Sequence, residues 1–180
     1  MYYGDQKEWR DMINKRVADA INEQINAEMY SAYLYLSMSA YFEEQSLSGF
    51  ANWMRIQFEE EQFHGLKLFN YLSERGGRVT LEAIEKPKTT WANMTEVFEE
   101  TLKHERHVTS LINNLMNIAL EESDHATASF LKWYIDEQVE EEAAAESILT
   151  QLKFIGGQGN AILMLDREFA ARVFTPPTGA

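Results

Sequence analysis

Apolar residues recur every three or four positions through four long stretches of the chain, the spacing of α-helices that bury one face against a core. Breaks rich in Gly, Ser or acidic residues separate these stretches. The first predicted helix runs from about Met12 to Gln45, and the second from the break at 46–49 to about Arg75. The third begins at Asn93 or Thr95 and ends at residues 121–124, which cap the fourth. The fourth ends at Gly156 and Gly157. The pattern predicts an all-α fold, and the connection at 78–92 is long enough to cross a bundle from end to end.

A shorter amphipathic stretch follows the fourth helix and predicts a fifth, C-terminal helix. Its apolar side consists of Ile162, Leu165, Phe169 and Val173. Residues 12–175 are therefore predicted to form one domain, a four-helix bundle with a long crossover and a short fifth helix. Residues 1–11 are an N-terminal extension to which we assign no function, and 176–180 form a C-terminal tail. The extension has no apolar core segment, so it is not expected to be a signal peptide.

Ionisable and amide side chains interrupt the apolar stripe near the middle of each long helix. Glu61 and His64 lie at i and i+3, so they share one helix face. A carboxylate that faces a core is costly unless it is paired or binds a metal ion. The other interruptions are Glu28 in the first helix, Glu105 in the third, and Gln138 and Glu141 in the fourth. We expect all six to meet at one level of the bundle.

The charges of these side chains support a metal site at this level. The four glutamates are all negative when ionised, and no Lys or Arg falls on the four stripes to neutralise them. Two divalent cations would balance the charge, whereas a metal-free site requires protonated carboxylates with raised pKa values. Four carboxylates and one imidazole form an oxygen-rich donor set, which favours iron or manganese over metals that prefer sulfur. Glu61 is best placed to bridge two ions.

The composition narrows the classes of function. The chain has 180 residues, a formal net charge of −13 and no Cys. The negative charge argues against nucleic acid and anionic membranes as partners. The longest mostly apolar run, 30–42, is too short to cross a bilayer. Without Cys, thiolate zinc sites, iron–sulfur clusters and disulfides are excluded, which fits a cytoplasmic protein.

The other histidines are interpreted as surface residues. His104 and His107 have the i, i+3 spacing that would let two ligands share one helix face. We nevertheless expect both at the surface, and His125 as well.

Four stretches of the chain together resemble the ferritins, specifically the non-haem ferritins of bacteria and archaea. They are residues 22–31, 60–64, 103–105 and 133–142, which read NEQINAEMYS, EEQFH, KHE and WYIDEQVEEE. The resemblance covers about residues 12–175 and implies a ferritin-like bundle assembled into a hollow homo-oligomeric shell of 24 subunits. It also implies iron storage, in which Fe(II) is oxidised by oxygen or peroxide at a ferroxidase centre inside each bundle and is deposited as a mineral.

The resemblance assigns a two-iron centre to the interrupting residues. One iron takes Glu28, Glu61 and His64. The second takes Glu61, Glu105 and Glu141, with Gln138 close by. Di-iron carboxylate bundles usually carry Glu-x-x-His in two helices, so the pair Gln138-x-x-Glu141 departs from that layout.

The resemblance also implies residues around this centre. Tyr35 matches the tyrosine that family members keep beside the two irons. Glu60, Glu137 and Glu140 match a third, weaker iron site of this branch of the family.

Other assignments fit the sequence less well. Bacterioferritins carry Glu-x-x-His in both pairs and a haem-ligating Met where this chain has Gln62, so no haem is expected. Rubrerythrins need Cys, and the mini-ferritins lack a complete intra-bundle site and the fifth helix. One alternative from another class is a di-metal bundle that acts on an organic substrate, but the chain has no spare segment to form a substrate pocket. A second alternative is a structural bundle without chemistry, which does not explain six polar residues at one level of a core.

Overall fold

The structure, a computed structural model, describes residues 13–176. Within that range the chain folds into five α-helices: α1 (Lys15–Glu44), α2 (Ser48–Glu74), α3 (Met94–Glu121), α4 (His125–Ile155) and α5 (Gly159–Phe169). The predicted all-α fold is confirmed, with helix ends displaced by a few residues. The predicted extension 1–11 and residues 177–180 of the predicted tail lie outside the described range. No helix in residues 13–176 is long and apolar enough to cross a membrane.

Local capping residues fix where three of the long helices begin and where α4 ends. The N-cap side chains of Asn14, Asn93 and Asp124 each accept a hydrogen bond from a backbone N–H in the first turn of the helix that follows, at 2.8, 3.0 and 3.0 Å. Such caps satisfy donors that the helix itself leaves unpaired. Gly156 ends α4 in the left-handed conformation, with a φ of 57°, which glycine adopts without steric cost.

The start of α2 is capped from another element of the structure. The break at residues 46–49 offers Ser side chains, which are typical N-caps, but the N-cap residue is Leu47 and no side chain of the segment makes the bond. Asp166 of α5 instead accepts hydrogen bonds from the backbone N–H groups of Gly49 and Phe50, at 2.8 and 3.0 Å. A Cβ atom on Gly49 would lie 1.6 Å from the carbonyl oxygen of Asp166. The close docking of α5 on α2 therefore requires glycine at this position.

The fifth helix is shorter than predicted. Leu165 and Phe169 are buried as expected, but α5 ends at Phe169. Val173, predicted on the same apolar side, lies beyond that end and is 75% exposed. The side-chain amide of Asn52 donates to the backbone carbonyls of Phe169 and Arg172, at 3.0 Å each. The chain after α5 is thereby held against α2 instead of continuing as a helix.

The four long helices pack as two hairpins, α1 with α2 and α3 with α4. The connection 75–93 contains no helix or strand and joins the end of α2 to the start of α3. It runs along α1, because the side chain of Asn22 donates to the carbonyl of Arg78 at 3.0 Å and that of Ser37 donates to the carbonyl of Lys88 at 2.7 Å. The predicted crossover is confirmed.

A polar layer divides the core of the bundle into two apolar parts. One part, which includes Phe42, Phe50 and Phe98, lies near the α1–α2 turn. The other, which includes Ile21 and Leu72, lies towards the opposite end. Between them all four long helices contribute buried polar side chains: Gln24, Glu28, Gln57, Glu61, His64, Glu105, Gln138 and Glu141. The fold therefore brings these polar side chains to one level of the bundle, as expected. Hydrophobic burial does not explain why polar side chains occupy this level.

Candidate metal centre

Three of the predicted ligands converge in the polar layer. Glu28 comes from α1, and Glu61 and His64 come from one face of α2. One ligand atom from each lies within 4.8 Å of the other two, the only such group of three or more His, Cys, Asp or Glu side chains in residues 13–176. The exposed fractions of the three residues are 1, 1 and 4%. A single ion between α1 and α2 would therefore be shielded from bulk water.

The buried carboxylates of this cluster are incompletely satisfied by the protein. The Oε2 atoms of Glu28 and Glu61 each lack a hydrogen-bond partner. The nearest basic group to Glu61 is the His64 ring, whose Nδ1 lies 3.4 Å from that oxygen. A buried carboxylate oxygen without a donor is destabilising unless a proton or a cation occupies the space beside it. These oxygens fit a metal ion of the oxygen-preferring class.

Glu105 lies across the layer on α3 and is held by neutral partners. The Tyr35 hydroxyl donates to its Oε1, and the side-chain amide of Gln138 donates to its Oε2 at 3.2 Å. Gln138 also donates to the backbone carbonyl of Glu105, at 3.2 Å. Tyr35 and Gln138 are therefore both in direct contact with one predicted ligand. They fix the orientation of its carboxylate without neutralising it.

Two buried amides that sequence analysis did not select contact the other carboxylates. The side chain of Gln24 donates to Glu28 Oε1 at 2.9 Å, and that of Gln57 donates to Glu141 Oε2 at 2.8 Å. Each Gln lies on the buried stripe one helical turn before a predicted ligand, four residues ahead of Glu28 or Glu61. The i, i+4 spacing places each Gln on the same helix face as a predicted ligand, and it is the sequence signal that could have identified both residues.

The crowding of carboxylates raises their pKa values. Burial is the main cause for Glu61, whose pKa is well above its ordinary range, and the nearby carboxylates of Glu28 and Glu105 add to it. Burial and the charge of Glu141 raise the pKa of Glu105 to about 8, although the hydrogen bonds from Tyr35 and Gln138 oppose this. Without metal the layer therefore holds protons at neutral pH, which a divalent ion displaces on binding.

The residues of the predicted third site are less closely gathered. Glu60 is half-buried on α2, Glu137 is half-buried on α4 and Glu140 is exposed there. Within the described chain they do not form a cluster of ligand atoms within 4.8 Å of one another. Glu60 instead bonds to Arg172, a cation that the sequence pattern did not suggest, at 2.6 Å between Nη2 and Oε2. Burial raises the pKa of Glu60 to about 7 although Arg172 lowers it.

One of the three histidines expected at the surface lies elsewhere. His107 and His125 are exposed, as predicted. His104 is half-buried: its Nε2 lies 2.8 Å from the Ser31 hydroxyl, and its ring packs beside Tyr35 at 6.2 Å between centroids. Burial lowers the pKa of His104 to about 4, so it is neutral. The prediction was wrong for this residue because its neighbours come from α1 and cannot be read from α3.

A buried layer of four glutamates, one histidine and their amide partners, placed between two apolar halves, defines the class of carboxylate four-helix bundles. Family comparison agrees with this class, since the ferritin-like domain matches residues 18–155. The chain belongs to the ferritin family, a family of iron-storage proteins.

Relatives are similar over most of the chain. The bacterial non-haem ferritin of Staphylococcus saprophyticus is 43% identical, over 91% of this chain and 98% of its own length, and that of Staphylococcus aureus is 40% identical with the same coverage. Among solved structures, an engineered closed form of the Archaeoglobus fulgidus ferritin is 50% identical and covers 91% of this chain and 99% of its own, with a TM-score of 0.90. The open-pore ferritin of the same archaeon is 49% identical with a TM-score of 0.89, over 90 and 99%. The resemblance to non-haem ferritins is confirmed.

Proposed function

We propose that this chain oxidises Fe(II) to Fe(III) at a two-iron centre inside its bundle, with oxygen or peroxide as the electron acceptor. The product is deposited as a mineral inside an oligomeric shell. The observation that carries the proposal is the buried trio of Glu28, Glu61 and His64, which leaves two carboxylate oxygens without a donor. Iron is the substrate in this scheme. The proposed first iron lies among these three side chains. The proposed second iron lies between Glu61, which bridges, and the pair Glu105 and Glu141.

The protein's part in this chemistry is to hold charge and protons at fixed positions. Fe(II) binding displaces the protons that Glu61 and Glu105 hold without metal, so the carboxylates become full acceptors for two cations. Tyr35 and Gln138 keep Glu105 oriented, and Gln57 does the same for Glu141. The apolar parts of the core on both sides exclude water, so oxidation is confined to the polar layer.

The proposed assembly is a homo-oligomeric shell of 24 subunits in the cytoplasm, as the family resemblance implies. Exposed apolar side chains on α1 and the crossover support subunit contacts. Tyr33, Leu81 and Ile84 are 49, 68 and 46% exposed. Burying such residues between copies of the chain is favourable. The lack of Cys fits a cytoplasmic location.

Rapid mixing of Fe(II) with oxygen tests the ferroxidase assignment. The variant Glu61→Ala with His64→Ala removes the bridge and the imidazole, so the fast oxidation phase should be lost while size-exclusion chromatography shows the wild-type assembly. The matched control is Glu74→Ala with His107→Ala, which makes the same chemical changes at exposed positions. The control should oxidise Fe(II) like the wild type. A fast phase of wild-type rate in the first variant would contradict the proposal.

A further inference from the structure

The chain beyond α5 carries a cation to the flank of the polar layer. Arg172 lies three residues after the end of the helix, and its Nη2 contacts Glu60 Oε2 at 2.6 Å. The side-chain exposures of Arg172 and Glu60 are 27 and 22%, so the pair is partly shielded from solvent. A partly buried, charge-assisted contact of this length is stronger than an ordinary surface ion pair.

Arg172 is held in place by more than its ion pair. Its guanidinium lies over the ring of Trp53, 4.7 Å from the ring centroid, and its Nη1 donates to the backbone carbonyl of Trp53 at 3.3 Å. The side chain of Asn52 binds the carbonyl of Arg172 itself. Since Trp53 and Asn52 both belong to α2, the guanidinium is directed towards the face of that helix that carries Glu60.

The same segment adjoins the proposed iron centre. Glu60 directly precedes the proposed bridge, Glu61. Two residues after Arg172, the ring of Phe174 packs at 6.2 Å from that of Phe63, the residue before His64. Residues 172–174 therefore cover the flank of α2 on which the proposed third iron site would have to form.

We infer that Arg172 competes with a divalent cation for Glu60 and so sets the affinity of the third site. The inference rests on the proposed function, to which it adds the third iron site that the family resemblance implies at Glu60, Glu137 and Glu140. Arg172 bonds to Oε2 of Glu60, so a metal ion that takes this oxygen at about 2.0–2.2 Å must first displace the guanidinium. A metal ion on the other oxygen of Glu60 would lie close to the guanidinium, and the repulsion between the two cations would weaken its binding. Binding at the third site accordingly releases Arg172 from Glu60 and disturbs the position of its guanidinium over the ring of Trp53.

Competition explains why this site is weaker than the two-iron centre. In residues 13–176 no Lys or Arg forms an ion pair with Glu28, Glu61, Glu105 or Glu141. A metal ion there has to displace only protons, side-chain amides or the Tyr35 hydroxyl from the ligand oxygens. Glu60 must first give up a guanidinium. An ion there is held loosely, as suits an ion in transit from the centre.

Equilibrium binding of Zn(II), which is not oxidised, tests the inference. The assembled wild type, Arg172→Gln, Arg172→Lys and the control Arg167→Gln are titrated by isothermal calorimetry. Arg167 is exposed on α5, so its replacement removes the same charge away from Glu60. Arg172→Gln should bind the third Zn(II) about tenfold more tightly, the equivalent of one charge-assisted bond lost by the competitor. Arg172→Lys keeps a cation and should stay close to wild type.

Fluorescence of Trp53 gives a second readout in the same titration. Zn(II) beyond two equivalents should change tryptophan emission in the wild type, and this change should be absent from Arg172→Gln and from Trp53→Phe. Equal third-site affinity in wild type and Arg172→Gln would overturn the inference, as would the binding of no third Zn(II) by either. The first two equivalents report separately on the two-iron centre, so loss of those alone counts against the proposed function and not against the role of Arg172.

Discussion

Glu105 shows how far the environment of a single side chain can move its chemistry. It is fully buried, its two oxygens are held by Tyr35 and Gln138, and its pKa is raised to about 8. No cation among the described residues contacts it. A carboxyl group in this state holds a proton at neutral pH, and in the proposed function Fe(II) displaces that proton.

Metal-free protein should lose stability as pH rises. The pKa of Glu105 is about 8 when folded and 4.5 in its ordinary state, so the folded protein binds the proton more tightly. Its contribution to stability is therefore complete below pH 4.5 and is lost as pH rises to about 8. Between pH 6 and pH 8 the loss is on the order of 2 kcal/mol. The raised pKa of Glu61 acts in the same direction.

Calorimetric melting of chelated protein checks this, with Glu105→Gln as the comparison. Because glutamine does not titrate, the melting temperature of the wild type should fall more steeply between pH 6 and pH 8 than that of the variant. Parallel pH curves for the two proteins would show that Glu105 is not held protonated.

Gln57 is a second buried residue whose expected effect on metal binding comes from the carboxylate that it contacts. Its amide holds Glu141 at 2.8 Å, and its own Oε1 is buried without a partner. Gln57→Leu should weaken the second metal position and slow Fe(II) oxidation by about tenfold, since residues that orient metal ligands typically contribute that much. Stopped-flow kinetics measures the rate, and Gln151→Leu on the exposed face of α4 is the control. Unchanged kinetics in Gln57→Leu would mean that Glu141 needs no support.

At the scale of elements, α5 acts as a cap for α2. Asp166 satisfies two backbone donors at the start of α2 that no local side chain reaches. Asp166→Ala should destabilise the protein by about 1 kcal/mol, as loss of an N-cap generally does. Differential scanning calorimetry of metal-free protein gives the shift in melting temperature, with Asp136→Ala on the exposed face of α4 as the control. If both variants melt alike, the cap contributes nothing.

The elements themselves could be predicted because their signals are local. Periodicity located all five helices, and the intrusion of Glu28, Glu61 and Glu105 into apolar stripes located the polar layer. The cap on α2 could not be predicted, since Asp166 is far away in sequence and meets Gly49 only after α5 docks. The burial of His104 and the pairing of Arg172 with Glu60 could not be predicted from the sequence for the same reason, because each depends on contacts between elements.

On the scale of the whole molecule, the bundle carries a destabilising layer through its centre. Two apolar parts of the core, one around Phe42 and one around Leu72, stabilise the fold on either side. They allow the layer between them to hold unpaired carboxylate oxygens. The acidic charge of the chain, −13, would also help to attract Fe(II).

The proposed storage function predicts an assembly with an interior. Electron microscopy of purified protein should show hollow particles, and particles incubated with Fe(II) in air should contain electron-dense cores. The Glu61→Ala with His64→Ala variant should form the same particles with fewer filled cores after short incubation. Isolated single chains in place of particles would contradict storage in a shell.

The central claim is that two iron ions bind between the helices at the polar layer. Crystals of the metal-free protein soaked anaerobically with Fe(II) test it most directly, by anomalous scattering measured above and below the iron absorption edge. The account predicts two anomalous peaks per chain inside the bundle, one in contact with Glu28, Glu61 and His64 and the other in contact with Glu61, Glu105 and Glu141. Iron peaks confined to the surface, with none among these side chains, would contradict it.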